Sequence, residues 1–288
     1  MRLKDIHIRD PFILAYNNNY YMYGTPTEDL CGSKIGFWCM KSKDLREWSE
    51  PIKCFTPPED FWGRTDFWAP EVHYYNGCFY LFATFMANGY MRAVQILKSS
   101  KPEGPYTVWS CPITPDDCMC LDGTFFLENG IPYMVYCHEW VQIGTGEICA
   151  IKMKEDLSAP DGAPFTLFSA SDAAWVDPVI NETINNKPAM VTDGPYIFKD
   201  NGILYMIWSS FYKGKYAMGC AVSQNGRLAG PWEHSNKLVL EQDGGHGMVF
   251  EAFDGSKKLI LHQPNSEPME RPRLFEVKME GKQIQIID

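Results

Sequence analysis

Apolar and polar positions along the chain fall into short strands rather than helices. From Arg9, RDPFILAYNNNYYMYGT runs through a β-branched and aromatic stretch, a polar Asn turn and a second apolar stretch. The same order returns in APEVHYYNGCFYLFAT from Ala69 and LDGTFFLENGIPYMVYC from Leu121. It returns again in TDGPYIFKDNGILYMIWSS from Thr192 and GHGMVFEAFDGSKKLILHQ from Gly245. Two β-rich runs joined by Asn-Asn, Asn-Gly or Asp-Gly make a hairpin, because those residues accept the positive φ angles of the tight turn. Third runs with turn-rich tails follow, such as IGFWCMKSKDLREWSEP and YAMGCAVSQNGRLAGPWEH. Repeats of roughly 50–70 residues built from three or four strands indicate a β-propeller. Five copies predict an all-β, five-bladed β-propeller over residues 1–288, with blades starting near 10, 69, 122, 193 and 246.

Each copy opens on a polar head: Asp10, Glu71, Asp122, Asp193 and His246. The first strand of each propeller blade lines the central channel, so these heads should converge at one end of one axis. Carboxylates brought together raise one another's pKa, and such clusters concentrate at functional sites. Their other use would be to satisfy backbone groups at the channel mouth. Asp193 sits in an Asp-Gly-Pro tripeptide, which taken alone is an ordinary turn.

Composition narrows the function classes. Of 288 residues 45% are apolar and 14% aromatic, a load that suits β-rich folds and sites that stack flat sugar faces. The formal charge of −10 argues against a nucleic-acid partner. No apolar run approaches membrane-spanning length, which argues against a membrane partner. The ten cysteines lack zinc-site spacing, Cys118-Met-Cys120 being too close. Most sit within apolar runs, as free thiols do in a reducing compartment, and the expected location is the cytoplasm.

Four motifs in order carry a family resemblance. Arg9-Asp10-Pro11-Phe12, Trp68-Ala69-Pro70-Glu71, Leu121-Asp122-Gly123 and Gly245-His246-Gly247 resemble the blade motifs of glycoside hydrolase family 43. These five-bladed propeller enzymes cleave arabinofuranosides and xylosides, and the resemblance covers nearly the whole chain. It implies Asp10 as general base and Asp122 as the residue that orients the acid and tunes its pKa. It also implies His246 as the residue near a calcium or other cation in the channel, with no cofactor required for the chemistry. The chain departs from the pattern at the general acid, where Asp193-Gly194-Pro195 replaces the usual Glu-Gly-Pro. Aspartate sets the carboxyl back by roughly 1.5 Å, one C–C bond. Glu139 is therefore the rival proton donor, and Glu147 a weaker one.

The implied reaction is inverting hydrolysis, in which one carboxylate activates water and one carboxylic acid protonates the leaving oxygen. The substrate would be a pentose-containing plant glycan, releasing L-arabinofuranose or D-xylose. A catalytically inactive, carbohydrate-binding propeller is the alternative, favoured by Asp193 and disfavoured by the presence of both Asp10 and Asp122. Phe12, Trp68, Trp140 and Trp208 are candidate sugar platforms, with Glu71, Glu139 and Arg271 as polar contacts. Residues 170–190 form a long connection expected to shape the binding face, with Asp177 at its rim.

Overall fold

The computed structural model describes residues 1–181 and 186–287. Five four-stranded antiparallel sheets follow one another in chain order. Their first strands are Arg9–Tyr16, Thr65–Tyr75, Cys120–Glu128, Asp193–Asp200 and Gly245–Glu251. Their second strands are Asn19–Thr25, Cys78–Met86, Ile131–His138, Ile203–Tyr212 and Lys257–Gln263. Each sheet is one blade of a five-bladed propeller. The hairpin turns use the residues that tolerate a left-handed backbone: Asn17-Asn18, Asn76-Gly77, Asn129-Gly130 and Asn201-Gly202 all have positive φ at both positions.

Apolar cores lie between neighbouring blades. One joins blade 1 to blades 2 and 5; others fill the gaps between blades 2 and 3, 3 and 4, and 4 and 5. Sheets covered on both faces need apolar residues at successive positions, and every residue of Asn19–Thr25 is buried. Trp208 belongs to this packing. It is 0% exposed and lies against Trp175 and Phe168 between blades 3 and 4, so it is no sugar platform.

The ring closes without exchanging a strand between its ends. Arg271 donates to the carbonyl of Lys4 and meets His7 Nε2 at 2.6 Å, tying the last blade to the segment before the first. Arg271, expected to contact sugar, is not among the residues that line the cleft described below. The 170–190 connection carries a small hairpin, Val179–Asn181 with Lys187–Ala189, and residues 182–185 of that expected binding loop lie outside the described residues. Asp177 accepts a hydrogen bond from the Lys213 backbone N–H and so fastens this connection to blade 4.

Candidate active site

The first strand of every blade bulges at the same place. Pairing with the second strand slips after Arg9, Trp68, Asp193 and Gly245, and in blade 3 just past Leu121. The next residue in each blade has a left-handed backbone: Asp10, Ala69, Asp122, Gly194 and His246, with φ of 51°, 44°, 57°, 51° and 43°. A bulge frees its backbone N–H from the ladder, and a buried N–H needs an acceptor. Thr25 Oγ1 takes that of Ala69, Thr84 Oγ1 that of Asp122, and Ser209 Oγ that of His246. Asp122 Oδ2 takes that of Gly194, and His262 Nδ1 that of Asp10. In four of the five cases the acceptor comes from the preceding blade's second strand, His262 of blade 5 serving blade 1.

This geometry stacks three tiers around the axis. Arg9, Trp68, Leu121 and Asp193 form the outer one and line a cleft of about 640 Å³. Asp10, Asp122 and His246 form its floor. Two residues further on, Phe12, Glu71, Thr124 and Tyr196 occupy the tier below. Phe12 there packs edge-on to His73 and Tyr196, and Glu71 pairs with His73 at 3.0 Å. Neither lines the cleft, so both leave the set of expected substrate contacts. Ala69 holds the place in blade 2 that was expected of Glu71.

On the floor, His246 Nδ1 lies 3.2 Å from Asp10 Oδ1 and 3.6 Å from Asp122 Oδ2. Gly194 is what lets the ring come so close, since a Cβ there would meet the imidazole at 2.6 Å. Thr25 donates to Asp10 Oδ2 at 2.5 Å. Burial opposes ionisation of Asp10, but the charges of His246 and Arg9 and the nearby His262 outweigh it and hold this carboxyl well below the usual carboxylate range. Asp122 goes the other way: burial and the nearby charge of Asp10 push it well above that range, against the Gly194 N–H. Asp193 is pushed up to about 7 by burial and by Asp122, with His246 opposing. The Tyr216 hydroxyl donates to Asp193 Oδ2 at 3.2 Å.

The wall of blades 2 and 3 is built on Arg92. Its guanidinium lies 4.6 Å from the Trp68 ring centre, pairs with Asp66 at 2.9 Å and hydrogen-bonds Glu139. Glu139 is 3% exposed and outside the cleft lining; burial pushes it up and Arg92 pulls it back. Trp140 follows it in a short helix, also away from the cleft. Of the aromatic candidates only Trp68 faces the cleft. Arg9, Tyr216, Arg92, Thr25 and His262 carry much of the site and went unassigned in the sequence. Arg9 had a signal, standing beside Asp10 at the start of a bulge. The others come from second and third strands, where no local motif marks them.

No group of three or more His, Cys, Asp or Glu among the described residues could hold a metal ion. His246 turns Nδ1 to two carboxylates instead, which does not fit a cation caged by protein ligands.

A family model described as glycosyl hydrolases family 43 matches residues 5–279. The chain is similar to alpha-L-arabinofuranosidase 43 of Humicola insolens, 24% identical over 237 residues, which cover 73% of this chain and 46% of that protein. It thus spans about half the length of that curated relative. Among solved structures, an endo-arabinase from Bacteroides thetaiotaomicron VPI-5482 is 38% identical with a TM-score of 0.91, and 98% of each chain is covered. An endo-1,4-beta-xylanase from the same organism is 27% identical with a TM-score of 0.79, covering 99% of this chain and 96% of that one.

Proposed function

The chain belongs to glycosyl hydrolases family 43, and from that premise we propose that it hydrolyses pentose-containing plant glycans by inversion, with Asp10 as base and Asp193 as acid. The observation that carries this reading is two carboxyls in one cleft with opposite surroundings. Asp10 lies 3.2 Å from His246 Nδ1 and accepts from Thr25, which goes with its downward displacement, while Asp193 is buried near Asp122 and pushed up to about 7. Groups pushed apart in this way divide into base and acid at neutral pH. Ionised Asp10 takes a proton from water as its oxygen attacks the anomeric carbon. Protonated Asp193 gives its proton to the glycosidic oxygen as that bond breaks. Asp122 holds the Gly194 backbone and, with Asp193, forms a crowded pair that retains a proton into neutral pH. Tyr216 occupies Asp193 Oδ2, which leaves Oδ1 to carry the proton.

Glu139 is the poorer donor, because Arg92 holds its carboxylate outside the cleft. The intact base, acid and tuning carboxyl count against an inactive carbohydrate-binding propeller. Similarity to an endo-arabinase at 38% identity supports L-arabinofuranosyl bonds ahead of xylosyl ones. Two carboxyl groups and water complete the chemistry without a cofactor. A cation beside His246 would enter as a water-coordinated ion, and no step passes through it. The ten free cysteines, six of them buried, support a reducing compartment such as the cytoplasm, which cell fractionation would test.

The test is hydrolysis of nitrophenyl α-L-arabinofuranoside and β-D-xyloside, arabinan and xylan by the pure protein. Anomeric configuration of the first-formed sugar is read by NMR. Release of product with the starting configuration would exclude inversion, and no hydrolysis of any of them would restore the inactive propeller.

A further inference from the structure

Arg9 holds the outer-tier place in blade 1 that Trp68 and Asp193 hold in theirs, so its side chain lines the cleft. Its side chain is 34% exposed, and Nη1 donates to Glu270 Oε1 at 2.9 Å. That is its one protein hydrogen bond among the described residues, out of five N–H donors. Glu270 is 1% exposed, and its other oxygen, Oε2, is buried without a partner. A carboxylate so deeply buried is costly unless it is paired, and its partner is the Arg9 guanidinium. Here it fixes where the guanidinium points. Arg9 lies near both Asp10 and Asp193, and an unanchored guanidinium would pair with one of them. Paired with Asp193 it would strip the acid of its proton; paired with Asp10 it would occupy the oxygens that must receive one. Glu270 holds Arg9 back from both, with its remaining donors left for a ligand in the cleft.

We propose that Arg9, anchored by Glu270, determines specificity by donating to adjacent hydroxyls of the sugar whose anomeric carbon is attacked. The glycone is the partner because Arg9 stands next to the base, whose water attacks that ring. A planar fork of N–H groups matches two neighbouring hydroxyl oxygens, whereas a lysine offers a point charge. The inference rests on the hydrolase reading above and adds the glycone-reading residue to it.

The experiment compares nitrophenyl pentosides with their monodeoxy analogues on wild type, Arg9→Lys, Arg9→Met and Arg9→Met/Glu270→Met. The double variant removes both charges together, so no buried carboxylate is stranded if Arg9→Met folds poorly. Wild type should lose roughly 10–10²-fold in kcat/KM when the contacted hydroxyl is removed, the worth of a hydrogen bond to a charged group. Each Arg9 variant should lose about as much on the parent glycoside and little more on that analogue. Arg9→Lys keeps the charge beside Asp10, so the acid limb of its pH profile should stay in place while discrimination falls. Equal deoxy penalties in wild type and variants would overturn the assignment. So would an Arg9→Met defect confined to the acid limb, which would leave Arg9 acting through Asp10 alone. A wild type that hydrolyses no pentoside overturns the hydrolase reading instead. The same hydroxyl comparison is then read by calorimetry with the free sugars, where unchanged discrimination in the variants sinks this proposal by itself.

Discussion

The bulges of blades 1 and 4 have the same backbone and opposite electrostatics. In blade 1 the aspartate is itself the left-handed residue, so Asp10 drops to the floor among His246, His262 and Arg9 and below the hydroxyl of Thr25. In blade 4 the aspartate comes one residue earlier. Asp193 stays on the outer tier, takes one tyrosine hydroxyl, and faces Asp122 and Asp10. An offset of one residue therefore separates a carboxylate from a carboxylic acid within one cleft. Burial is common to both; what differs is the sign of the neighbouring charge and the number of hydrogen bonds to the ionised form.

Removing the base should break this comparison most severely. Asp10→Asn is isosteric, tolerates the left-handed backbone and can still accept from Thr25, but it cannot take a proton from water. Hydrolysis should fall by about 10³-fold or more, with the melting transition nearly unchanged. A purified variant with a tenth of the wild-type kcat would remove Asp10 from the base role.

Asp193→Ala should come next, and its effect should depend on the leaving group. On arabino-oligosaccharides the loss should be roughly 10²–10⁴-fold, the usual worth of acid catalysis. On nitrophenyl glycosides, whose leaving group departs almost unaided, the loss should be much smaller wherever bond cleavage limits the rate. The pH profile carries the same assignment. Asp193 must be protonated, so kcat/KM should decline as pH rises through about 7. Asp10 must be ionised and is held low, so the acid limb should lie below the usual carboxylate range. Glu139→Ala should leave leaving-group dependence as it is; a steep dependence in that variant, absent from Asp193→Ala, would exchange the two roles.

Tyr216→Phe sharpens the comparison on the acid side. Its hydroxyl donates to Asp193 Oδ2 and so favours the ionised form. Losing it should move the alkaline limb upward by less than about one unit and lower kcat by roughly tenfold through lost orientation. An unmoved limb would mean the tyrosine serves packing alone, and a downward shift that its hydroxyl favours the protonated acid.

How far the sequence reached follows from these bulges. Hairpins, blade number and the residues Asp10, Asp122, Asp193 and His246 were legible because turn chemistry and strand patterning are local. The tier of each head was not, since aligning carboxylates put Glu71 and Asp193 in register with Asp10. Aligning the next residue, Pro11, Pro70, Gly123, Pro195 and Gly247, recovers the register, because a bulge is where a strand tolerates a residue without a ladder N–H or without a side chain. Under that alignment Ala69 and Gly194 are the true counterparts of Asp10, and Phe12 and Glu71 fall together into the tier below. Trp208 was misread for a different reason. Aromatics pack cores as readily as they bind sugars, and one strand does not reveal what its neighbouring blade covers. Arg92 and Tyr216 depend on contacts between distant strands that no local pattern encodes.

The smallest effect is expected at Ser209, and it separates scaffold from chemistry. Ser209 and Thr25 do the same structural job, each accepting the bulge N–H of the following blade. Thr25 also donates to Asp10, whereas Ser209 only accepts from the His246 backbone N–H. Ser209→Ala strands one buried N–H, a cost of about 1–3 kcal/mol in stability. Gly194 and the two carboxylates still hold the imidazole in place, so kcat at temperatures well below unfolding should stay within about threefold, less than 1 kcal/mol of barrier. Thr25→Val should lose similar stability and, in addition, activity, because Asp10 gives up its shortest hydrogen bond. Denaturant titration and kcat at one low temperature read both quantities. If Ser209→Ala costs as much activity as Thr25→Val, the tethers themselves set the geometry of the acid and base, and the contrast between blades 1 and 4 is one of backbone placement more than of charge.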